Sequence, residues 1–174
     1  MKNKKNILWL TLFVLAFFSN SISANAQETK PTIAAVNLHV PSNAATTHMG
    51  IWDYEQNLNR AEEMLGIITT EIVNSKKFRV IERSRIDQII REQGFQKSQL
   101  SDSQVIRIGK LLGVNKILTG EFPGTGYGDG TVSVRIINVQ SGEIEAAASV
   151  TIGIVLTYKY KDYVKKLIDE LLGS

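Results

Sequence analysis

The side chains able to do chemistry in this sequence are few and poorly clustered. His39 and His48 are the only histidines and there is no cysteine, so the nitrogen and sulfur ligands of a four-coordinate metal site are missing. Glu82, Glu121, Glu143 and Glu145 could pair as general acid and base. Carboxylates at strand ends more often face solvent or meet an arginine, here Arg83 or Arg135. No G-x-S-x-G elbow occurs, and Ser84 and Ser101 sit where helix caps are expected rather than nucleophiles. Gly124, Gly126, Gly128 and Gly130, in PGTGYGDG, superficially resemble a phosphate loop. Such a loop needs a helix N-terminus after it to bind the anion, and strands are expected on both sides here. These residues point to no catalytic group, no metal and no cofactor.

Trp52 and Tyr54 are of another kind. Together with His48 they lie in Ser42 to Asn57, a stretch without sustained period that reads as a long loop. Large aromatics in polar loops anchor protein interfaces, so His48, Trp52 and Tyr54 are the candidate partner contacts. The same aromatics could instead fold the loop back over the core.

Regular elements must hold these residues in place. Thr32 to Val40 is an apolar run that reads as a strand covered on both faces, ended by Pro41. Arg60 to Lys77 has helical spacing through Ala61, Met64, Leu65, Ile68 and Ile72. Phe78 to Phe122 then reads as strand, helix, helix, strand, the first strand running from Phe78 to Arg83. Ser84 caps the first helix and Gly94 stops it, while Ser101 with Gln104 forms a capping box and Gly113 supplies the C-terminal stop. Thr131 to Val139 and Glu143 to Ile152 are strands joined at Gln140-Ser141-Gly142 as antiparallel neighbours. A terminal amphipathic helix carries Tyr160, Tyr163, Val164, Leu167, Ile168, Leu171 and Leu172. This order predicts an α/β fold: a single-domain sandwich with helices packed on a mixed sheet and an antiparallel C-terminal hairpin.

The N-terminus reads as an export signal. Lys2, Lys4 and Lys5 precede the short apolar run Ile7 to Phe18, and Ala24-Asn25-Ala26 is a small-x-small cleavage pattern. Residues 1–26 are therefore expected to be removed, leaving 27–174 as the domain. The 174-residue chain carries a formal charge of +3, but cleavage after Ala26 takes three lysines and no acid, leaving 17 basic against 17 acidic residues. A neutral domain gives no electrostatic reason to expect nucleic acid or an anionic membrane surface as partner. No integral span is expected after cleavage, and the product should be periplasmic.

The motifs VIERSRIDQIIREQ, IGKLLGVNKILTGEF and VSVRIINVQSGEIEAAASV, taken in order, resemble the curli-assembly CsgG-like family and the related penicillin-binding-protein activator LpoB. The matching positions are Glu82-Arg83, Gly120, Arg135 and Ser141-Gly142-Glu143, within Thr32 to Val150. The resemblance implies a non-enzymatic envelope protein that binds other proteins. Its partners would be envelope proteins such as a peptidoglycan synthase or a secretion component, with a homo-oligomer and outer-membrane association as options. Two departures matter: there is no cysteine to acylate, and the sheet connections are short for the membrane-crossing hairpins of the ring-forming branch.

Overall fold

The computed structural model describes residues 29–41, 54–123, 130–152 and 160–173. In chain order these form β1 (Thr32–His39), α1 (Tyr54–Ser75), β2 (Arg79–Val80), α2 (Arg83–Glu92), a 3-10 turn (Lys97–Gln99) and α3 (Asp102–Leu112). β3 (Lys116–Glu121), β4 (Gly130–Asn138), β5 (Ile144–Ile152) and α4 (Tyr160–Leu172) follow. The sheet order is β2-β1-β3-β4-β5. β1 pairs in parallel with both β2 and β3, and β3, β4 and β5 are antiparallel neighbours. This is the expected α/β architecture of helices on a mixed sheet.

The topology follows from handedness. From β1 the chain crosses to β2 on one side and then, from β2, to β3 on the other. Right-handed crossovers in opposite directions place their helices on opposite faces. β1 accordingly serves two cores. Ile33, Ala35, Leu38 and Val40 join the cluster under α1 and α4, whereas Ala34 and Val36 join that under α2 and α3. The change of phase after Ala35 is a register shift between Ala35 and Asn37.

The ends of α3 form as the sequence predicts: Ser101 Oγ accepts from the Gln104 backbone N–H, Gln104 reaches back to the Ser101 N–H, and Gly113 takes φ 66°. Three boundaries differ from expectation. α1 begins at Tyr54, not Arg60, because its buried stripe extends backward through Asn57. It stops at Ser75, where Lys76 takes φ 57°. β2 is two residues long rather than running to Arg83, and Glu82 occupies the N-cap of α2 with no side-chain hydrogen bond, leaving Ser84 exposed inside the first turn. Its physical cause is Arg83, which must turn inward to donate from Nη1 to the carbonyls of Ala35 (3.0 Å) and Val36 (2.7 Å).

At the hairpin, Asn138 Oδ1 accepts from the Gln140 and Ser141 backbone N–H groups, and Gly142 takes φ 79°. α4 lies over β5 and against α1, with Tyr160, Val164, Leu167, Ile168 and Leu171 buried.

Candidate functional site

Of the three candidate contacts, His48 and Trp52 lie outside the described residues, as does the stretch 42–53 that carries them. Tyr54 is the first residue of α1, half-buried and packed against the larger core cluster. Its hydroxyl is buried without a hydrogen-bond partner among the described residues. The part of the expected loop from Tyr54 to Asn57 is thus helix, and Tyr54 serves the core at the point where that helix starts.

Polar groups gather at the carboxyl half of β1. β2 pairs with β1 only at Thr32 and Ile33, so beyond that point β1 has a strand on its β3 side alone among the described residues. Arg83 covers the carbonyls of Ala35 and Val36 there. The arginine is also one corner of a ring of four charges: Arg83 Nη2 lies 3.3 Å from Glu62, Arg83 Nε 3.3 Å from Asp87, and Lys97 Nζ 3.0 Å from Glu62 and 3.3 Å from Asp87. Two bases and two acids cancel. The ring ties α1, α2 and the 3-10 turn together across the strand edge.

Asn37, which lines a pocket together with Glu62 and Lys97, is 2% exposed, and its Oδ1 accepts from the Thr119 hydroxyl at 2.9 Å. Its Nδ2 has no hydrogen-bond partner among the described residues. A buried amide donor left unpaired costs about 1–3 kcal/mol, so such a group draws notice. His39, one of the two histidines, has Nδ1 3.1 Å from the Ser98 carbonyl and therefore fixes the 3-10 turn to the strand. Among the described residues no three His, Cys, Asp or Glu side chains converge as metal ligands.

Of the four strand-end carboxylates, Glu82, Glu121 and Glu143 are exposed, and Glu145 meets a base, a lysine in place of the expected arginine. Glu145 pairs with Lys116 and accepts from Asn138 Nδ2, and these partners, Lys116 first, hold its carboxyl below the usual range. Arg135 pairs with Asp102, and Arg83 with the ring above. Sequence reasoning passed over Asn37. Its signal was nonetheless present, as the one amide within the otherwise apolar run TIAAVNLHV.

Comparison with solved structures places this sheet and its helices among known folds. The C-terminal domain of LpoB from Escherichia coli is similar at a TM-score of 0.52 and 16% identity, over 79% of this chain and 93% of that one. The LpoB C-terminal domain from Salmonella enterica gives 0.52 and 16% over 72% and 84%. Lipoprotein GNA1162 from Neisseria meningitidis gives 0.56 and 12% over 83% and 98%. At these identities the likeness is one of fold. No curated protein sequence matches. The family model described as curli production assembly/transport component CsgG matches residues 16–130, about two thirds of the chain, and the chain therefore belongs to the CsgG family.

Proposed function

We propose that this protein is an exported accessory component of the cell envelope that acts by binding other proteins, with neither turnover nor pore formation. The family match over residues 16–130 carries this reading, since the family is described by assembly and transport rather than by a reaction. The signal-like start, with Ala24-Asn25-Ala26 as cleavage site, supports export and a domain running from 27 to 174 in the periplasm. His48, Trp52 and Tyr54 remain the proposed contacts, because Tyr54 begins α1, the other two precede it closely in sequence, and large aromatics in polar segments anchor protein interfaces. A second reading, stimulation of a peptidoglycan synthase, is favoured by the LpoB-like fold joined to short sheet connections.

Affinity capture from the envelope fraction, with the domain beginning at Gln27 as bait, tests the proposal. Specific retention of an envelope protein is expected, weakened by Trp52→Ala with the melting temperature unchanged. Recovery of no partner sinks protein binding as the function. A large fall in melting temperature for Trp52→Ala would assign that side chain to the core instead.

A further inference from the structure

β5 is the last strand of the sheet and pairs only with β4 among the described residues. Which of its backbone groups face away from β4 follows from alternation. In β4 the Val139 N–H donates to the Asn115 carbonyl, toward β3, and the Asn138 N–H donates to the Glu143 carbonyl, toward β5. Neighbouring residues of a strand bond to opposite sides, so the even-numbered residues of β4 hold β5. With Ile136 opposite Ala146, Val134 opposite Ala148 and Val132 opposite Val150, they hold its even-numbered residues. The N–H and C=O groups of Ala147, Ser149 and Thr151 therefore point outward, and these three are the exposed residues of that run. Nothing among the described residues makes a backbone hydrogen bond to them on that side. We infer that this edge pairs with the same edge of a second copy of the chain, antiparallel about a two-fold axis at Ser149, so that two five-stranded sheets become one. The inference stands apart from the protein-binding reading above, which concerns other proteins.

Three observations select a second copy as the occupant. The first is register. An axis at Ser149 sets Ser149 against itself and Ala147 against Thr151, so each outward residue meets an outward residue and the two exchange both N–H···O bonds. Between these pairs Ala148 meets Val150 of the second copy, apolar on apolar, on the face that α4 covers. The second is the absence of any guard on the edge. Ala146 to Ile152 holds no proline and no charge, the usual means of blocking edge-to-edge pairing. Glu145, the one charged residue of β5, is the bulged residue beyond that run and is bonded to Lys116 and Asn138 on the neighbouring strands. Like charges thus never face each other across the axis. The third is the order of charge along α4. Lys161, Lys165 and Lys166 are exposed ahead of the exposed Asp169 and Glu170, and Glu170 borders the same hollow as Ile144, Ala147 and Ser149. The two-fold lays two such helices antiparallel on one face of the joined sheet, with the basic start of each beside the acidic end of the other. An extended segment of an unrelated protein would match the backbone alone, whereas a second copy matches backbone, side chains and charge. Being isologous, the contact closes at two copies and builds no ring.

Sedimentation equilibrium of the purified exported protein tests this. A monomer–dimer equilibrium is expected, with nothing larger. Ser149→Lys places two like charges on the axis from an exposed position, and Ser149→Pro removes an outward N–H that β4 does not use. Each should weaken self-association roughly tenfold or more, while the same charge at the exposed Val73 of α1, as Val73→Lys, should leave it unchanged. Ser149→Lys keeps the test decisive if Ser149→Pro does not fold. The chain has no cysteine, so single cysteines report the register. Ser149→Cys should be joined to its symmetry mate by a short thiol-bridging reagent, and Thr131→Cys, exposed one strand inward, should not. A chain that stays monomeric up to about 100 µM, an assembly that Ser149→Lys does not weaken, or equal cross-linking at positions 149 and 131 overturns the proposal. So does an experimental structure in which residues 153–159 cover the outward side of β5. A monomer that still retains an envelope protein in capture would reject the pairing while leaving the protein-binding function standing.

Discussion

At the scale of single residues, two serines in similar sequence settings have different fates. Ser101 closes a reciprocal pair of hydrogen bonds with Gln104 at the start of α3, whereas Ser84 is an exposed residue within the first turn of α2. Ser101→Ala should therefore cost about 1 kcal/mol in a denaturant melt, and Ser84→Ala should stay within about 0.5 kcal/mol. Equal losses would restore Ser84 as a cap. A third hydroxyl makes stability depend on pH. Tyr160 is fully buried at the first turn of α4, and burial pushes its pKa above the ordinary 10.0, with Glu63 reinforcing and Arg60 opposing the shift. Above the unfolded value the unfolded chain sheds this proton while the folded one keeps it, so stability falls as pH rises past about 10, by at most about 1.4 kcal/mol per pH unit. Below that value the group contributes nothing. Urea melts between about pH 8 and 11 should give a steeper alkaline decline for wild type than for Tyr160→Phe, and parallel slopes would remove Tyr160 as the cause.

At the scale of elements, the contact between β3 and β4 has no room at Gly120. A Cβ there would lie 2.0 Å from the Ser133 carbonyl oxygen and 3.0 Å from the Val134 Cα, both backbone atoms that cannot rotate aside. Gly120→Ala should thus destabilise by about 1–3 kcal/mol or more. Gly66, exposed in α1 with nothing within 4 Å of the same atom, should respond oppositely, with Gly66→Ala stabilising by about 0.5–1 kcal/mol. Paired melts of the two variants check the signs; a neutral Gly120→Ala would mean that β4 yields more readily than this packing implies. Elements specified locally were legible in the sequence. The capping box of α3 lies within four residues, and the two-sided burial of β1 is written in its mostly apolar run. What escaped was set by distant partners. β2 is cut short because Arg83 reaches carbonyls 47 and 48 residues earlier, and α1 starts early because its stripe continues through Tyr54 and Asn57, types that do not advertise burial. Of the candidate contacts His48, Trp52 and Tyr54, only Tyr54 lies among the described residues. An aromatic loop signals contact, yet Tyr54 packs on the core, and the polar group that stands out, Asn37, finds its partner Thr119 on another strand 82 residues away.

At the scale of the whole molecule, the question is whether this sheet could be enlarged into a membrane channel. A barrel strand needs about 9–11 residues to cross the hydrocarbon, so an inserted hairpin needs about twenty with its turn. Between β3 and β4 the chain has only the eight residues Phe122 to Asp129, and between β5 and α4 the seven residues 153–159. The β4–β5 turn is shorter still, and the interval between β1 and α1, residues 40–53, also falls short of two such strands. Composition adds to length: Pro123, Asp129, Gly124, Gly126 and Gly128 cannot present an alternating lipid-facing band. Nor is any helix among the described residues long and apolar enough to cross a membrane. Assembly of copies would not change the arithmetic, because each copy would bring the same short connections and leave its backbone groups unsatisfied in lipid. Planar-bilayer recordings with the purified domain starting at Gln27 should therefore show no conductance steps at concentrations where partner capture is complete. Reproducible channels that vanish when residues 123–130 are shortened would return the protein to the pore-forming branch, since only a segment that lines the pore could control it in that way.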